Sequence, residues 1–218
     1  MTPRTLAQNQ AMREATRDKI LEAALRLFSR KGYAAASVRL IAKEAGVAQG
    51  LLYSHFEGKE DLLRALFRLS MEDVRESFAA AALGESRGTA GPPRAAGPPR
   101  AALERLIRAA FAILRRNLDF WRMSYGVRMQ EPVVKALAPD FQSWTRDILK
   151  TLQSHFRAAG AARPDIEAAI LFALIDGVSQ HYALDPESYP LEAVADALVA
   201  KYSQGGSRGK KRKPKHRP

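Results

Sequence analysis

Few side chains in this sequence have the type and spacing that catalysis or metal binding requires. The chain contains no Cys, which excludes disulfides, thiolate metal sites and a Cys nucleophile. Its histidines lie far apart, without the spacing of metal ligands, at His55, His155, His181 and His216. The sequence has no GxGxxG loop, no P-loop and no HExxH motif. We therefore expect a protein that is not an enzyme and that carries no metal or other cofactor.

The polar groups best placed for recognition lie in the segment SVRLIAKEAGVAQGLLYSHF, residues 37–56. Two short helices are predicted here, over residues 37–45 and 49–56, because Ser37 suits a helix N-cap and Gly46 suits the turn between them. Small apolar side chains hold such a pair close together. This arrangement is typical of a helix-turn-helix, whose second helix enters the DNA major groove with its first residues toward the base edges.

Longer helices are predicted on both sides of this motif. An amphipathic helix over residues 16–31 ends in LFSRKGY, and a helix from residue 59 to about residue 80 begins in GKEDLL. In order and spacing, about residues 12–70 resemble the N-terminal domain of the TetR/AcrR family of transcriptional regulators. The resemblance implies DNA binding. Beyond residue 70 it extends only to architecture, an all-helical second domain.

The resemblance implies base contacts and phosphate contacts. Gln49 suits adenine and Leu51 suits a thymine methyl group, at the start of the recognition helix. Ser37 at the N-cap of the first short helix and Arg39 in the same turn suit phosphate oxygens, and Arg39 also reaches a base edge. The other implied contacts are Ala48 and Gly50 on the recognition helix, and Tyr53, His55 and Lys59 on phosphates.

Some of these positions have a plainer interpretation. Many relatives carry Ser or Thr where this chain has Ala48 and Leu51, so its base contacts are more apolar. Tyr53 is also suited to packing inside the small domain, and His55 to a core or capping role. Gln49 is equally compatible with ordinary solvated surface.

The net charge of +12 is concentrated at the two ends of the sequence. Residues 1–70 contain twelve Lys and Arg against seven Asp and Glu, and residues 207–218 contain seven Lys and Arg and no acid. Residues 71–206 are neutral. Such a distribution favours binding to a phosphate backbone, with solubility as the alternative.

The sequence predicts an all-α fold in two domains. The three-helix helix-turn-helix DNA-binding domain is expected over residues 16–62, after a flexible segment 1–15. A connecting helix (63–83) and a Pro/Gly-rich linker (84–100) lead to a helical ligand-binding and dimerisation domain (101–204), and a basic disordered tail (205–218) follows. With no apolar run of 18 residues and a polar first segment, we expect no membrane contact and a cytoplasmic location.

A helix over residues 120–130 supplies most of the candidate ligand contacts. The spacing i, i+4, i+7, i+8 places four residues on one helical face: Trp121, Tyr125, Arg128 and Met129. Trp144, Phe172 and Asp176 are expected on the other walls, in a pocket for a bulky, partly apolar small molecule. Ordinary core packing is the alternative. Arg128 either favours an anionic ligand or forms a salt bridge. Pro139 is expected to start a further helix.

Residues 165–183 and 191–202 are the predicted dimer interface. Apolar side chains cover more of the circumference of the first helix than one core needs, and two such helices from each subunit could form a four-helix bundle. A homodimer presents two recognition helices to a palindromic operator with half-sites about 34–36 Å apart. A small-molecule effector would release a repressor by changing their spacing through the helix from Lys59. The alternatives are an activator, a ligand-unresponsive regulator and a non-regulatory nucleic-acid-binding protein.

Overall fold

The computed structural model describes residues 5–84 and 98–203, and every regular element in these ranges is an α-helix. The helices are α1 (Leu6–Lys31), α2 (Val38–Glu44), α3 (Gln49–Tyr53), α4 (Lys59–Leu83), α5 (Pro99–Arg116), α6 (Leu118–Arg128), α7 (Glu131–Ala158), α8 (Pro164–Leu184) and α9 (Leu191–Ser203). The predicted all-α fold, with a helix-turn-helix domain followed by a helical domain, is confirmed. None of these helices is long and apolar enough to cross a membrane.

Helix α1 begins ten residues before the position that the apolar pattern indicated. A capping box fixes its start: the Thr5 hydroxyl accepts from the Gln8 N–H (3.3 Å), and the Gln8 side chain accepts from the Thr5 N–H (3.0 Å). The prediction of a flexible segment 1–15 is therefore wrong for residues 6–15, whose helix is exposed and so lacks apolar periodicity. Residues 1–4 lie outside the described part.

The first four helices form the reading head, which we define as residues 5–58 with the first turn of α4. Helix α1 packs against α2 and α4, and α2 packs against α3. Helices α2, α3 and α4 each contribute a fully buried side chain to this core: Ile41, Leu52 and Leu62. Since deleting such a buried chain typically costs about 2–5 kcal/mol, this core fixes how α3 is presented.

The second domain is built on α5, which packs against α4, α7 and α9, while α7 packs against α8. The structure corrects one boundary: α7 runs through Pro139 without a break, so this residue does not start a helix. A Pro inside a helix loses one backbone hydrogen bond. Buried side chains on both sides of it, Leu137 and Leu152 among them, hold α7 against its neighbours.

The C-terminal end of α4 is fastened to α5 by one side chain. Arg105 donates from Nε to the Ala81 carbonyl (2.9 Å) and from a terminal nitrogen to the Ala82 carbonyl (3.3 Å). Gly84, with a left-handed φ of +78°, ends the helix. Of the predicted linker, residues 85–97 lie outside the described part, and α5 begins at Pro99. The whole predicted tail, 205–218, also lies outside it.

Candidate nucleic-acid interface and effector cavity

The turn between α2 and α3 sets the direction of the recognition helix. Ser37 caps α2 by accepting the Leu40 N–H (3.2 Å). Gly46 adopts a φ of +68°, which a side chain rarely allows, and the Val47 N–H returns to the Ala42 carbonyl (3.0 Å). These contacts hold α3 at a fixed angle to α2, as a helix-turn-helix requires.

Helix α3 has one buried face and one open face. Leu52 is fully buried, whereas Leu51 and Tyr53 are 44% and 51% exposed. Ala48 and Gln49 are exposed as well, and a Cβ added to Gly50 would meet no protein atom within 4 Å. The predicted recognition-helix positions 48–51 and 53 are therefore all exposed, and packing inside the domain does not account for Tyr53.

The predicted phosphate contacts divide into two groups. Ser37 and Arg39 are exposed, and the Ser37 cap uses only an acceptor lone pair, which leaves its O–H as a donor. Lys59 is instead half-buried: its ammonium donates to the carbonyls of Tyr33 (2.9 Å) and Ala34 (3.4 Å) and lies 4.2 Å from the Tyr33 ring centre. Lys59 therefore fastens the α1–α2 connection to the start of α4.

His55 lies beside two arginines of α1, Arg13 and Arg17, that were not among the predicted contacts. Burial, together with the charges of Arg13 and Arg17, lowers the pKa of His55, so the imidazole is neutral near pH 7. Arg17 also lies 5.3 Å from the ring centre of Phe56. The i, i+4 spacing of the two arginines was the only sequence signal for this shared surface, and it is common on exposed helices.

A small cavity of about 40 Å³ lies in the second domain between α4, α5, α6, α7 and α8. Five of the seven predicted ligand residues line it: Trp121, Tyr125, Trp144, Phe172 and Asp176. The remaining lining is mainly apolar and was missed: Val74, Phe78, Ala110, Ile113, Ile148, Leu152, Ile175 and Ser179. Most of these side chains have the helical periodicity of ordinary core residues, so the sequence does not distinguish them from the core.

Arg128 lies behind the cavity wall and does not line it. Its guanidinium contacts both carboxylate oxygens of Asp176 at 3.0 Å and lies 4.9 Å from the Tyr125 ring centre. Burial, and next the Asp176 charge, raise the pKa of the Tyr125 phenol, which donates to the Asp176 carbonyl (3.3 Å). Of the two alternatives for Arg128, the structure has the salt bridge.

Met129 is not brought to the cavity. Helix α6 ends at Arg128, so Met129 leaves the helical register in which it would follow Trp121 and Tyr125, and it is 89% exposed. The expectation that it lines the pocket is therefore wrong.

Helix α6 touches both halves of the molecule. It packs against α1 of the reading head on one side and against α8 on the other, and it carries Trp121 and Tyr125 of the cavity wall. Arg122 on the same helix donates to the Ala183 carbonyl of α8 (2.9 Å). From the sequence, only α4 was predicted to connect the reading head to the second domain, because contacts between helices distant in sequence leave no periodic signal.

An outer stripe runs along α8, which we define as Ile166, Ile170, Ala173, Gly177, His181 and Leu184. The residues are spaced by 4, 3, 4, 4 and 3 positions, so they share one helical face. Ile166, Ile170 and Leu184 are 44%, 43% and 75% exposed. A Cβ added to Gly177 would meet no atom within 4 Å, so another helix is able to approach closely there.

In the described ranges no group of three or more His, Asp or Glu side chains is placed to hold a metal ion.

Several ion pairs in the described ranges join neighbouring helices of the second domain. Arg108 with Asp196 and Arg115 with Glu192 join α5 to α9, and Arg116 with Asp73 joins α5 to α4.

Comparison with known proteins gives two family matches and several relatives. Residues 20–66 match the family described as bacterial regulatory proteins, tetR family. Residues 99–203 match the family described as BetI-type transcriptional repressor, C-terminal. The HTH-type transcriptional regulator AcrR of Shigella flexneri is 44% identical over 63 residues, which is 29% of each chain. PksA, an HTH-type transcriptional regulator of Bacillus subtilis, is 28% identical over 180 residues, 79% of this chain and 81% of PksA.

The fold is also similar to that of solved transcriptional regulators. The transcriptional regulator FadR from Bacillus subtilis, solved in complex with stearoyl-CoA, superposes with a TM-score of 0.69 over 87% of this chain and 98% of FadR, at 19% identity. The match to AcrR spans less than a third of that protein, whereas the two family matches divide this chain as the structure does, into a reading head and a second helical domain. The chain therefore belongs to the TetR family of helix-turn-helix, DNA-binding transcriptional regulators.

Proposed function

We propose that the chain is a homodimeric repressor that binds a palindromic operator. It leaves this operator when a small-molecule effector enters the cavity lined by α4 to α8. One observation carries the proposal: α6 lines the cavity with Trp121 and Tyr125 and also packs against α1 of the reading head. A ligand that widens the cavity displaces α6, because Trp121 and Tyr125 of this helix form part of the cavity wall. It changes DNA affinity only to the extent that it binds the two head arrangements differently.

On the DNA side, the open face of α3 is the proposed reading surface. Gln49 pairs with adenine, Leu51 contacts a thymine methyl group, and the small residues Ala48 and Gly50 let the helix backbone lie close to the bases. The proposed phosphate contacts surround this face: Ser37, Arg39, Tyr53, His55 and Lys59. The exposed positions in this set and the excess of basic residues over 1–70 support the assignment.

On the partner side, the outer stripe of α8 is the proposed dimer contact, together with the exposed small residues Ala193, Ala197 and Ala200 of α9. Two such helices from each subunit form a four-helix bundle around a two-fold axis. Exposed apolar residues at regular helical spacing support this pairing. Single exposed apolar residues are common on any protein, whereas a continuous row of them is typical of an interface.

On the ligand side, the cavity is smaller than the roughly 300–1,000 Å³ of typical ligand sites. The cavity of the described conformation is therefore contracted. We assign this conformation to the DNA-binding state and propose that ligand entry separates α6 from α7. The stearoyl-CoA complex of Bacillus subtilis FadR supports the idea that this fold accommodates a small molecule.

Selection of bound sequences from random DNA tests the proposal. We expect one palindrome with half-sites about 34–36 Å apart. Gln49→Ala should cost about 1–3 kcal/mol on that palindrome and leave binding to random DNA unchanged. Gln142→Ala, at an exposed position of α7, is the matched control. Uniform coating of all DNA, or a Gln49→Ala variant that binds the palindrome normally, would contradict the proposal.

A further inference from the structure

Two buried donors in the cavity have no acceptor. The indole Nε1 atoms of Trp121 and Trp144 are inaccessible to solvent and make no hydrogen bond, and both side chains line the cavity with ring centres 6.3 Å apart. Trp121 as a whole is more than nine-tenths buried. An unpaired buried N–H costs roughly 1–3 kcal/mol, and native proteins almost always pair such groups. These two donors therefore indicate a partner that comes from outside the chain.

The acceptors of the cavity wall already have partners. The Asp176 carboxylate binds Arg128 with both oxygens, at 3.0 Å each. The Tyr125 hydroxyl donates to the Asp176 carbonyl and also contacts Ser179. In the structure none of these groups accepts a hydrogen bond from either indole N–H.

The charges around the cavity argue against an ionic ligand. An anionic ligand would lie near the Asp176 carboxylate, and the nearest guanidinium, Arg128, is already paired behind the wall. A cationic ligand would have to displace Arg128 from the Asp176 carboxylate, the charged group of the cavity lining. The remaining lining is aliphatic and aromatic, with Phe78, Phe172 and the two indoles around a narrow space. The cavity therefore favours an uncharged, largely aromatic molecule with an accepting oxygen.

We infer that the effector is an uncharged aromatic carbonyl compound whose oxygen accepts a hydrogen bond from the indole N–H of Trp121 or Trp144. This inference rests on the proposed function, since it specifies the ligand class for the same cavity. Binding provides an acceptor for a donor that has no partner within the protein, and the aromatic ring replaces the contact between α6 and α7. The preference therefore comes from the hydrogen bond in addition to the apolar lining.

The experiment compares acetophenone with ethylbenzene, which has the same size and shape but a CH₂ group in place of the carbonyl. The chain has only two Trp residues, so a ¹H–¹⁵N spectrum of the full dimer contains two indole signals, both from this cavity. Trp121→Phe and Trp144→Phe assign the signals, and each keeps an aromatic ring while removing one N–H. Thermal melts establish that both variants are folded.

We expect acetophenone to move at least one indole proton downfield and to bind about tenfold more tightly than ethylbenzene, a difference of about 1.4 kcal/mol. The Phe variant of the responding Trp should reduce acetophenone affinity to that of ethylbenzene and leave ethylbenzene affinity unchanged. Equal binding of both probes, binding of neither, or a preference that persists in both Phe variants would overturn the inference. Operator release by another compound without any indole shift would overturn it while leaving the proposed function intact.

Discussion

Replacing Lys59 by Ala should have two separable effects, one on DNA binding and one on folding. In the structure the ammonium group donates to the carbonyls of Tyr33 and Ala34 and lies over the Tyr33 ring, at the start of α4. The same group is our proposed phosphate contact. If Lys59 has only a structural role, its replacement should lower the stability and leave DNA binding unchanged. If it binds phosphate, the replacement should also lower the salt dependence of DNA binding.

The size of each effect follows from the contacts. Each neutralised phosphate contributes about 0.9 to the slope of log affinity against log salt, so a dimer with two copies of Lys59 should lose about 1.8. In folding, the variant loses two charge-assisted hydrogen bonds and one cation–π contact. Because Lys59 is only half-buried and water replaces the bonds in part, we expect a loss of about 1–2 kcal/mol in the free energy of unfolding.

Two measurements decide between the roles. Fluorescence anisotropy on labelled operator, at several salt concentrations, gives the salt slope, and urea unfolding gives the stability. Lys150→Ala, an exposed lysine of α7, should change neither. An unchanged salt slope with reduced stability would refute the phosphate contact. An unchanged stability with a reduced slope would refute the importance of the carbonyl contacts.

Gly50→Ala should keep or raise the melting temperature, because the added Cβ meets no protein atom and Ala favours a helix more than Gly does. The variant should nevertheless bind operator about tenfold more weakly, a loss of about 1.4 kcal/mol, because the methyl group separates α3 from the bases; normal binding in a gel-shift titration would argue against close approach. Ile170→Glu should dissociate the dimer by placing charge in the outer stripe, and a dimer that persists in sedimentation velocity would exclude this interface. The pKa of His155 is lowered from about 6.5 by burial and by Arg105, so below that pH the unfolded chain binds the proton that the folded chain excludes. The free energy of unfolding should therefore fall as pH decreases through about 6.5 towards the folded pKa, and His155→Gln should flatten this slope in urea titrations; an unaltered slope would assign it to other groups.

The all-α fold and the reading head were predictable because their signals are local. The Ser37 cap, the Gly46 turn and the 3–4 spacing of apolar residues each act over a few positions, and each is found in the structure. The start of α1 was missed because it depends on the Thr5 and Gln8 capping box of an exposed helix. A pattern based on buried residues does not detect such a helix.

The cavity was predictable only in part, for a physical reason. Trp121, Tyr125 and Asp176 could be identified because large aromatic and charged groups on an apolar helix are unusual. Their aliphatic neighbours have the same pattern as any core residue. The prediction for Met129 was wrong because α6 ends at Arg128, and the residue that follows the helix is 89% exposed. The unpaired state of the indole N–H groups depends on five helices together and has no sequence signature.

Anchoring of the C-terminal end of α4 by Arg105 gives this helix a fixed pivot. Its 25 residues span about 37 Å, so the end that carries Lys59 is the far end of a long lever arm. A rotation of about 5° around the pivot displaces that end by about 3 Å, which is close to the rise of one base pair along DNA. The same rotation moves Val74, about 13 Å from the pivot, by only about 1 Å, so a shift beside the cavity is enlarged about threefold at the Lys59 end. Loosening Arg105 should consequently blunt the response to an effector without altering either binding site.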